Sequence, residues 1–212
     1  MTTSSQTYKE LSIPFSKETF DCIDEVMREM HLPYYLVGAN AIALELLKKG
    51  VKPSPGTKDI DFAVMIPSKD EYENISTALE GKEFNRVSTP FNFYSEKFNI
   101  VIDLLPFGEL EENYTINFNE RRADLHLLGF KEVMEEAIPV YIEDKIANIP
   151  PLAGMVILKL IAWNDRPEIR FDDLPDILKI IEHYYDFAWD EIVNRRLCKT
   201  VILPVFCLVE RK

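Results

Sequence analysis

The segment that most constrains the fold is a short apolar run that ends in a glycine and leads into a helix-forming stretch. The run is Tyr34 to Val37, Gly38 closes it, and leucines at helical spacing follow until Gly50. This order predicts a strand, a tight turn and a helix. A loop rich in proline and glycine comes next, and the β-like run from Ile60 to Ile66 then predicts a second strand.

Further helices and strands are predicted on both sides of this segment. A helix over Ser16 to Met30 precedes it, because apolar residues there recur on one helical face. A helix over Lys69 to Leu79, capped by Ser68, follows it. Three short β-prone runs separated by turn-forming residues then predict antiparallel strands of the same sheet. These runs are Phe84 to Ser88, Phe91 to Ser95 and Phe98 to Leu105.

The pattern changes to helix from Pro150 onward. Leu152 to Arg166 is predicted as one helix, with Leu174 to Tyr185 and Trp189 to Arg196 as two more. A short strand is predicted before them at Val140 to Ile142. The tail after the last helix does not continue the helical pattern; a final strand, a buried extension and an altered C-terminus all stay open.

Composition indicates one globular unit with a real core. The chain has 212 residues, of which 47% are hydrophobic, enough for one compact domain or for one domain with a helical extension. Residues 1–148 are predicted as the core domain and residues 149–212 as the helical region. The start shows no secretory signal, and no apolar run reaches the roughly 18 residues that would cross a bilayer. We therefore expect a cytoplasmic protein with no membrane partner.

Charge and cysteine content exclude several classes of function. The net charge of −12 disfavours broad binding to DNA or to an anionic membrane, although a local basic groove, for example at Arg166 with Arg170, is compatible with it. Solvated charge is the simpler interpretation of such arginines. Cys22, Cys198 and Cys207 are odd in number and lack C-x-x-C spacing, which argues against a disulfide framework and a zinc site.

Asp59 and Asp61 are the first candidate metal ligands. In a strand, both side chains point to the same face, about 6 to 7 Å apart. Carboxylates so placed can share divalent cations, and magnesium leaves coordination positions open for phosphate oxygens. About one Asp-x-Asp pair is expected by chance in so acidic a chain, so the pair alone is weak evidence. However, Ile60, Phe62 and Ala63 make the strand apolar, where unpaired carboxylates would be costly.

Two further residues extend this candidate site. Gly38 lies at a strand-to-helix turn, where backbone N–H groups and the helix N-terminus can bind a phosphate. An ordinary turn glycine is the simpler alternative. Asp103 lies in a later strand and could supply a third carboxylate, unless it is a strand-end aspartate that faces solvent.

This combination resembles the nucleotidyltransferase superfamily of the polymerase-beta type. The resemblance implies an α+β fold with a mixed, mainly antiparallel sheet flanked by helices, followed by a C-terminal helical region. It also implies a nucleoside triphosphate co-substrate, held at Gly38 and Ala39, and two magnesium ions. Asp59 and Asp61 would be shared metal ligands, and Asp103 would bind the second metal and orient the acceptor.

The C-terminal half adds two motifs. Lys159, Ala162 and Arg166 have helical spacing, so Lys159 and Arg166 share a face about 10 Å apart, and Asp173 and Asp176 lie one turn apart. Taken singly, these residues could be a snorkelling lysine, a helix-end arginine and capping acids. In this order with the earlier motifs, they resemble the AbiEii-type abortive-infection nucleotidyltransferase toxins.

The resemblance to these toxins implies more about function. Lys159 and Asp176 would join the three aspartates as catalytic residues, and Lys159 with Arg166 would hold the triphosphate. The enzyme would transfer a nucleoside monophosphate to a hydroxyl of tRNA or protein, with an antitoxin as a partner. One departure is Ala39, where the family usually has glycine or serine; it favours the alternative of a non-catalytic nucleotide- or partner-binding protein. Modification of a small molecule such as an antibiotic is a third hypothesis.

Overall fold

The computed structural model describes five stretches of the chain. They are residues 16–51, 59–108, 115–116, 125–142 and 145–194. The expected proline- and glycine-rich loop before Ile60, the tail after Arg196, and both Cys198 and Cys207 lie outside the described residues.

Five strands form the central sheet, in the spatial order β1-β2-β5-β4-β3. Their bounds are β1 Tyr34–Leu36, β2 Asp59–Ile66, β3 Asn85–Arg86, β4 Asn92–Ser95 and β5 Ile100–Gly108. Two further hairpins are β6 Thr115–Ile116 with β7 Leu125–His126, and β8 Ile138–Ile142 with β9 Lys145–Ile149. The helices are α1 Ser16–Glu29, α2 Gly38–Lys48, α3 Lys69–Gly81, α4 Phe130–Glu135, α5 Leu152–Asp165 and α6 Asp173–Asn194.

The sheet is mixed and mainly antiparallel, which confirms the predicted fold class. Strand β1 pairs antiparallel with β2, and β4 pairs antiparallel with both β3 and β5. The expectation that β5 would also be antiparallel to its neighbours is wrong for one edge, because β5 runs parallel to β2. Helix α3 and the β3–β4 hairpin separate β2 from β5 in sequence, and this long connection returns the chain in the same direction.

Apolar and acidic side chains alternate along the first half of β2, so the two faces of the strand differ. Ile60, Phe62 and Val64 are fully buried in the main core, which α1, α2 and α3 share with the sheet and the β8–β9 hairpin. Asp59 and Asp61 point to the opposite face and are only partly buried. Because the apolar side chains are buried in the core, the two carboxylates between them must point away from it.

The helices confirm most of the predicted pattern. Ser68 accepts a hydrogen bond from the Glu71 backbone N–H at 3.2 Å, as expected of the cap of α3. The prediction of two separate helices after Pro167 is wrong, because one helix, α6, continues from Asp173 to Asn194 without a break. The residues between the two predicted helices include neither glycine nor proline, so nothing in the backbone ends the helix there. The sequence did not predict α4, β6, β7 or β9.

In the part of the chain that the structure describes, no helix is both long and apolar enough to span a bilayer. The domain boundary after residue 148 stays a prediction.

Replacing Tyr72 by phenylalanine tests the contribution of a buried hydrogen bond between α3 and β5. The buried Tyr72 hydroxyl lies 2.9 Å from the Leu104 carbonyl oxygen and 3.2 Å from that of Pro90, beside Asp103. We expect Tyr72→Phe to lower the free energy of unfolding by about 1 kcal/mol in urea titrations, because a buried hydrogen bond is lost. Tyr94→Phe is the control, since its hydroxyl bonds Asn99 at the surface. Equal losses in both variants would contradict the prediction.

Candidate active site

Three carboxylates meet where β2 and β5 run side by side. The parallel register places Asp61 opposite Asp103, and Asp59 lies two residues earlier on the same face. Each residue offers one carboxylate oxygen, and these oxygens all lie within 4.8 Å of one another. A cluster of partly buried carboxylate oxygens with this spacing is the donor set that divalent cations such as magnesium prefer.

The electrostatics of the cluster favour a bound cation. Burial raises the pKa of Asp61 to about 7, and the charges of Asp103 and Asp59 add to this rise. Burial also raises the pKa of Asp103, although the Asn92 side chain opposes it by donating a hydrogen bond. Like charges this close disfavour joint ionisation. A divalent cation would remove that conflict, so the residues present fit a metal site.

Gly38 begins α2 directly against the Asp61 side chain. Its φ of +65° is in the left-handed region, and a Cβ atom added there would lie 2.0 Å from Asp61 Oδ2. The Val37 N–H donates to the Asp61 carbonyl oxygen at 2.9 Å, so the turn is fixed to β2. Glycine adopts this backbone conformation without strain, and only glycine, which lacks a Cβ atom, allows this close approach.

Two asparagines that sequence reasoning missed contact aspartates of the cluster, one at a backbone carbonyl and the other at a carboxylate. The buried Asn40 donates from Nδ2 to the Asp59 carbonyl oxygen at 2.9 Å, which joins the first turn of α2 to the start of β2. Asn92 donates from Nδ2 to Asp103 Oδ1, while its own Oδ1 accepts hydrogen bonds from Ser88 and Thr89. Neither asparagine belongs to a pattern that is visible in sequence, since each acts through a contact with another element.

Lys159 joins α5 to the first turn of α6. Its Nζ lies 2.8 Å from Asp173 Oδ1 and 2.8 Å from Asp176 Oδ2. Burial opposes the charge of Lys159, but its hydrogen bonds to the two carboxylates outweigh burial and raise its pKa. Asp173 is only 7% exposed, and its Oδ2 has no hydrogen-bond partner among the residues described.

All of the predicted site residues line one cavity of about 330 Å³. This volume is within the range of small-molecule sites, about 300 to 1,000 Å³. The lining residues from the sequence prediction are Gly38, Ala39, Asp59, Asp61, Asp103, Lys159, Arg166 and Asp176. The structure therefore brings the four sequence motifs together, while the role of each residue stays a prediction. Arg170 and Asp172 also line the cavity but belong to none of the four motifs.

Comparison with solved structures identifies the fold. An antigenic nucleotidyltransferase-like protein from Paracoccidioides brasiliensis aligns with a TM-score of 0.51 and 14% identity, over 84% of this chain and 78% of that chain. The antibiotic-resistance factor ANT(2'')-Ia gives 0.49 and 10%, over 90% and 92%. A lincomycin-bound lincosamide antibiotic adenylyltransferase gives 0.47 and 13%, over 84% and 98%.

The first of these similarities shows that the chain has the nucleotidyltransferase fold. At 14% identity the likeness concerns the fold alone. No family model matches the chain, and no curated protein matches its sequence. The closer resemblance to the abortive-infection toxins therefore stays a prediction.

Replacing Gly38 by alanine tests the packing of the turn on Asp61. We expect magnesium or manganese to raise the melting temperature of the wild type. The new Cβ would collide with the carboxylate, so Gly38→Ala should displace Asp61 and abolish this rise. Gly50→Ala is the matched control, because Gly50 also has a positive φ, +80°, but open space around it. Both variants should lose about 1 kcal/mol of stability from backbone strain. Retained metal stabilisation in Gly38→Ala would contradict the prediction.

Replacing Asp61 by asparagine tests the charge conflict in the metal-free protein. The folded-state pKa of about 7 exceeds the unfolded value, so ionisation of Asp61 disfavours folding progressively as pH rises toward 7 and fully above it. We expect Asp61→Asn to stabilise the metal-free protein by on the order of 1 kcal/mol at pH 8, and by less at pH 5. Urea titrations measure both values.

Saturating magnesium should reverse the order of stability, because only the wild type keeps all three carboxylates of the candidate metal site. A variant that is less stable than the wild type in the absence of metal at pH 8 would show that the Asp61 charge is already compensated within the protein.

Proposed function

We propose that the protein is a magnesium-dependent nucleotidyltransferase that transfers a nucleoside monophosphate from a triphosphate to an acceptor hydroxyl. The observation that carries the proposal is the meeting of three carboxylates with the Gly38 turn in one cavity. The nucleotidyltransferase fold supports it. The same cavity also holds the basic residues that an anionic co-substrate requires.

Different groups of the cavity would bind the metal ions and the phosphates. Asp59 and Asp61 would hold two magnesium ions, and Asp103 would hold one of the two. When bound, these ions neutralise the charge that develops on the transferred phosphoryl group. The backbone N–H groups at Gly38 and Ala39 would bind phosphate oxygens at the N-terminus of α2, where the helix dipole adds to the attraction.

The reaction forms a bond between the acceptor oxygen and the α-phosphorus and breaks the bond to the bridging oxygen, so that pyrophosphate leaves. Asp103 would orient the acceptor hydroxyl and take its proton as an ionised carboxylate. Lys159 and Arg166 would hold the triphosphate or the pyrophosphate from the helical side of the cavity. Asp176, which holds Lys159 at 2.8 Å, would complete the catalytic set.

The acceptor and the biological role are the finer parts of the proposal. The motif order supports tRNA or protein as the acceptor, with ATP among the candidate co-substrates. It also supports a role as a toxin that an antitoxin controls in the cytoplasm. A small molecule such as an antibiotic is a second candidate acceptor, because its modification would use the same carboxylates and the same triphosphate site.

A labelling experiment tests the proposed reaction. The protein is incubated with each α-labelled triphosphate, magnesium and total cell lysate, and the labelled products are separated into RNA, protein and small molecules. We expect one triphosphate to give label in one of these fractions. Asp59→Asn combined with Asp61→Asn should abolish the label, because the shared ligands of the metal are lost.

Asp70→Asn is the matched control, since Asp70 is an exposed acid in the first turn of α3 and does not line the cavity. Label that persists in the double variant would overturn the metal assignment. Tight magnesium-dependent triphosphate binding without any labelled product would favour the non-catalytic alternative that Ala39 suggests.

A further inference from the structure

The connection between α5 and α6 carries an arginine that no sequence motif includes. Arg170 lies in this connection and lines the cavity. Its position is fixed by the backbone, since its carbonyl oxygen accepts a hydrogen bond from the Asp173 N–H at 3.2 Å. The Ile169 N–H in turn donates to the Arg166 carbonyl oxygen at 3.2 Å. Arg170 is therefore attached to the first residue of α6, beside the ion pairs of Lys159.

The other cations that line the cavity already have acidic partners. Lys159 contacts Asp173 and Asp176, each at 2.8 Å. Arg166 donates from Nε to Asp165 Oδ2 at 3.1 Å. A phosphate group would have to compete with these carboxylates for either side chain, which reduces what each contributes to binding an anion.

Arg170 differs from Lys159 and Arg166 in its lack of an acidic partner within the described part of the chain. Its side chain is exposed, and it makes no hydrogen bond or ion pair with any residue that the structure describes. The guanidinium is nevertheless near enough to the carboxylate cluster to favour the ionised forms of Asp61 and Asp103, against the effect of burial on the pKa of each. Arg170 thus lines the same cavity as the cluster and forms no hydrogen bond or ion pair with its carboxylates.

We infer that Arg170 binds the phosphate groups of the triphosphate beyond the transferred one, so that these phosphates lie between its guanidinium and the carboxylate-bound metal. This inference rests on the proposed function. A guanidinium presents several N–H donors in one plane and pairs with phosphate oxygens in a bidentate manner. The site would then hold the leaving pyrophosphate through a cation that no carboxylate of the described chain neutralises.

Calorimetric binding tests this assignment without requiring turnover. Magnesium with each of the four nucleoside triphosphates, and with the matching nucleoside monophosphates, is titrated into the wild type and into variants of the full chain. We expect Arg170→Gln to weaken triphosphate binding about tenfold to a hundredfold, as expected from the loss of a charge-assisted hydrogen bond. The affinity for the monophosphate should change by less than about twofold, because Arg170 contacts only the outer phosphates.

Two further variants separate geometry from charge. Arg170→Lys keeps the charge but loses the bidentate contact, so its triphosphate affinity should lie between those of the wild type and Arg170→Gln. Arg28→Gln removes the same charge on α1, away from the cavity, and should leave triphosphate binding unchanged. Stabilisation by magnesium alone should persist in all three variants, which shows that the carboxylate site is intact.

The outcomes distinguish the inference from the proposed function. If the wild type binds a triphosphate and Arg170→Gln binds it equally well, the assignment of Arg170 is overturned while the nucleotidyltransferase proposal stands. An equal loss of monophosphate and triphosphate affinity in Arg170→Gln would also overturn it. If the wild type binds no triphosphate in the presence of magnesium, the proposed function fails and the inference fails with it.

Discussion

The parallel register of β2 and β5 is the constraint on which the candidate site depends. It places Asp61 opposite Asp103, a pairing of like charges that is unfavourable by itself. The strands keep this register because the alternate residues Ile60, Phe62 and Leu104 are fully buried on the other face, and a shift by one residue would expose them. Burial of the apolar face thus stabilises an arrangement of carboxylates whose mutual repulsion a divalent cation would relieve.

The elements around the two strands hold this charged cluster in one geometry. Gly38 and Asn40 attach the first turn of α2 to β2, and Asn92 attaches β4 to the Asp103 carboxylate. From the opposite side, Lys159 joins α5 to α6 through two carboxylates. The cavity therefore has the carboxylate cluster on the side of the sheet. On the side of the helices it has three cations, Lys159, Arg166 and Arg170, among four aspartates. Under the proposed function, the phosphate chain would lie between the metal ions held by the cluster and these cations.

Local features of the site were visible in the sequence, and long-range features were not. The residues next to Gly38 were enough to predict its turn, and the β-like run around Asp59 and Asp61 was enough to place both side chains on one face. Helical spacing was enough to place Lys159 and Arg166 on one face of a helix. The parallel pairing of β5 with β2 and the continuity of α6 depend on packing that no short window contains. The hydrogen bond of Asn92 to Asp103 and the position of Arg170 at the cavity are of the same kind, because both depend on elements that are distant in sequence.

The most direct test of the central claim is an anomalous-diffraction experiment on crystals grown with manganese and a non-hydrolysable triphosphate. Manganese is a suitable probe because carboxylate and phosphate oxygens bind it as they bind magnesium. We expect anomalous peaks within coordination distance of the Asp59, Asp61 and Asp103 carboxylates, with the triphosphate next to the N-terminus of α2. Manganese bound elsewhere, or a triphosphate bound away from this cluster, would contradict the account.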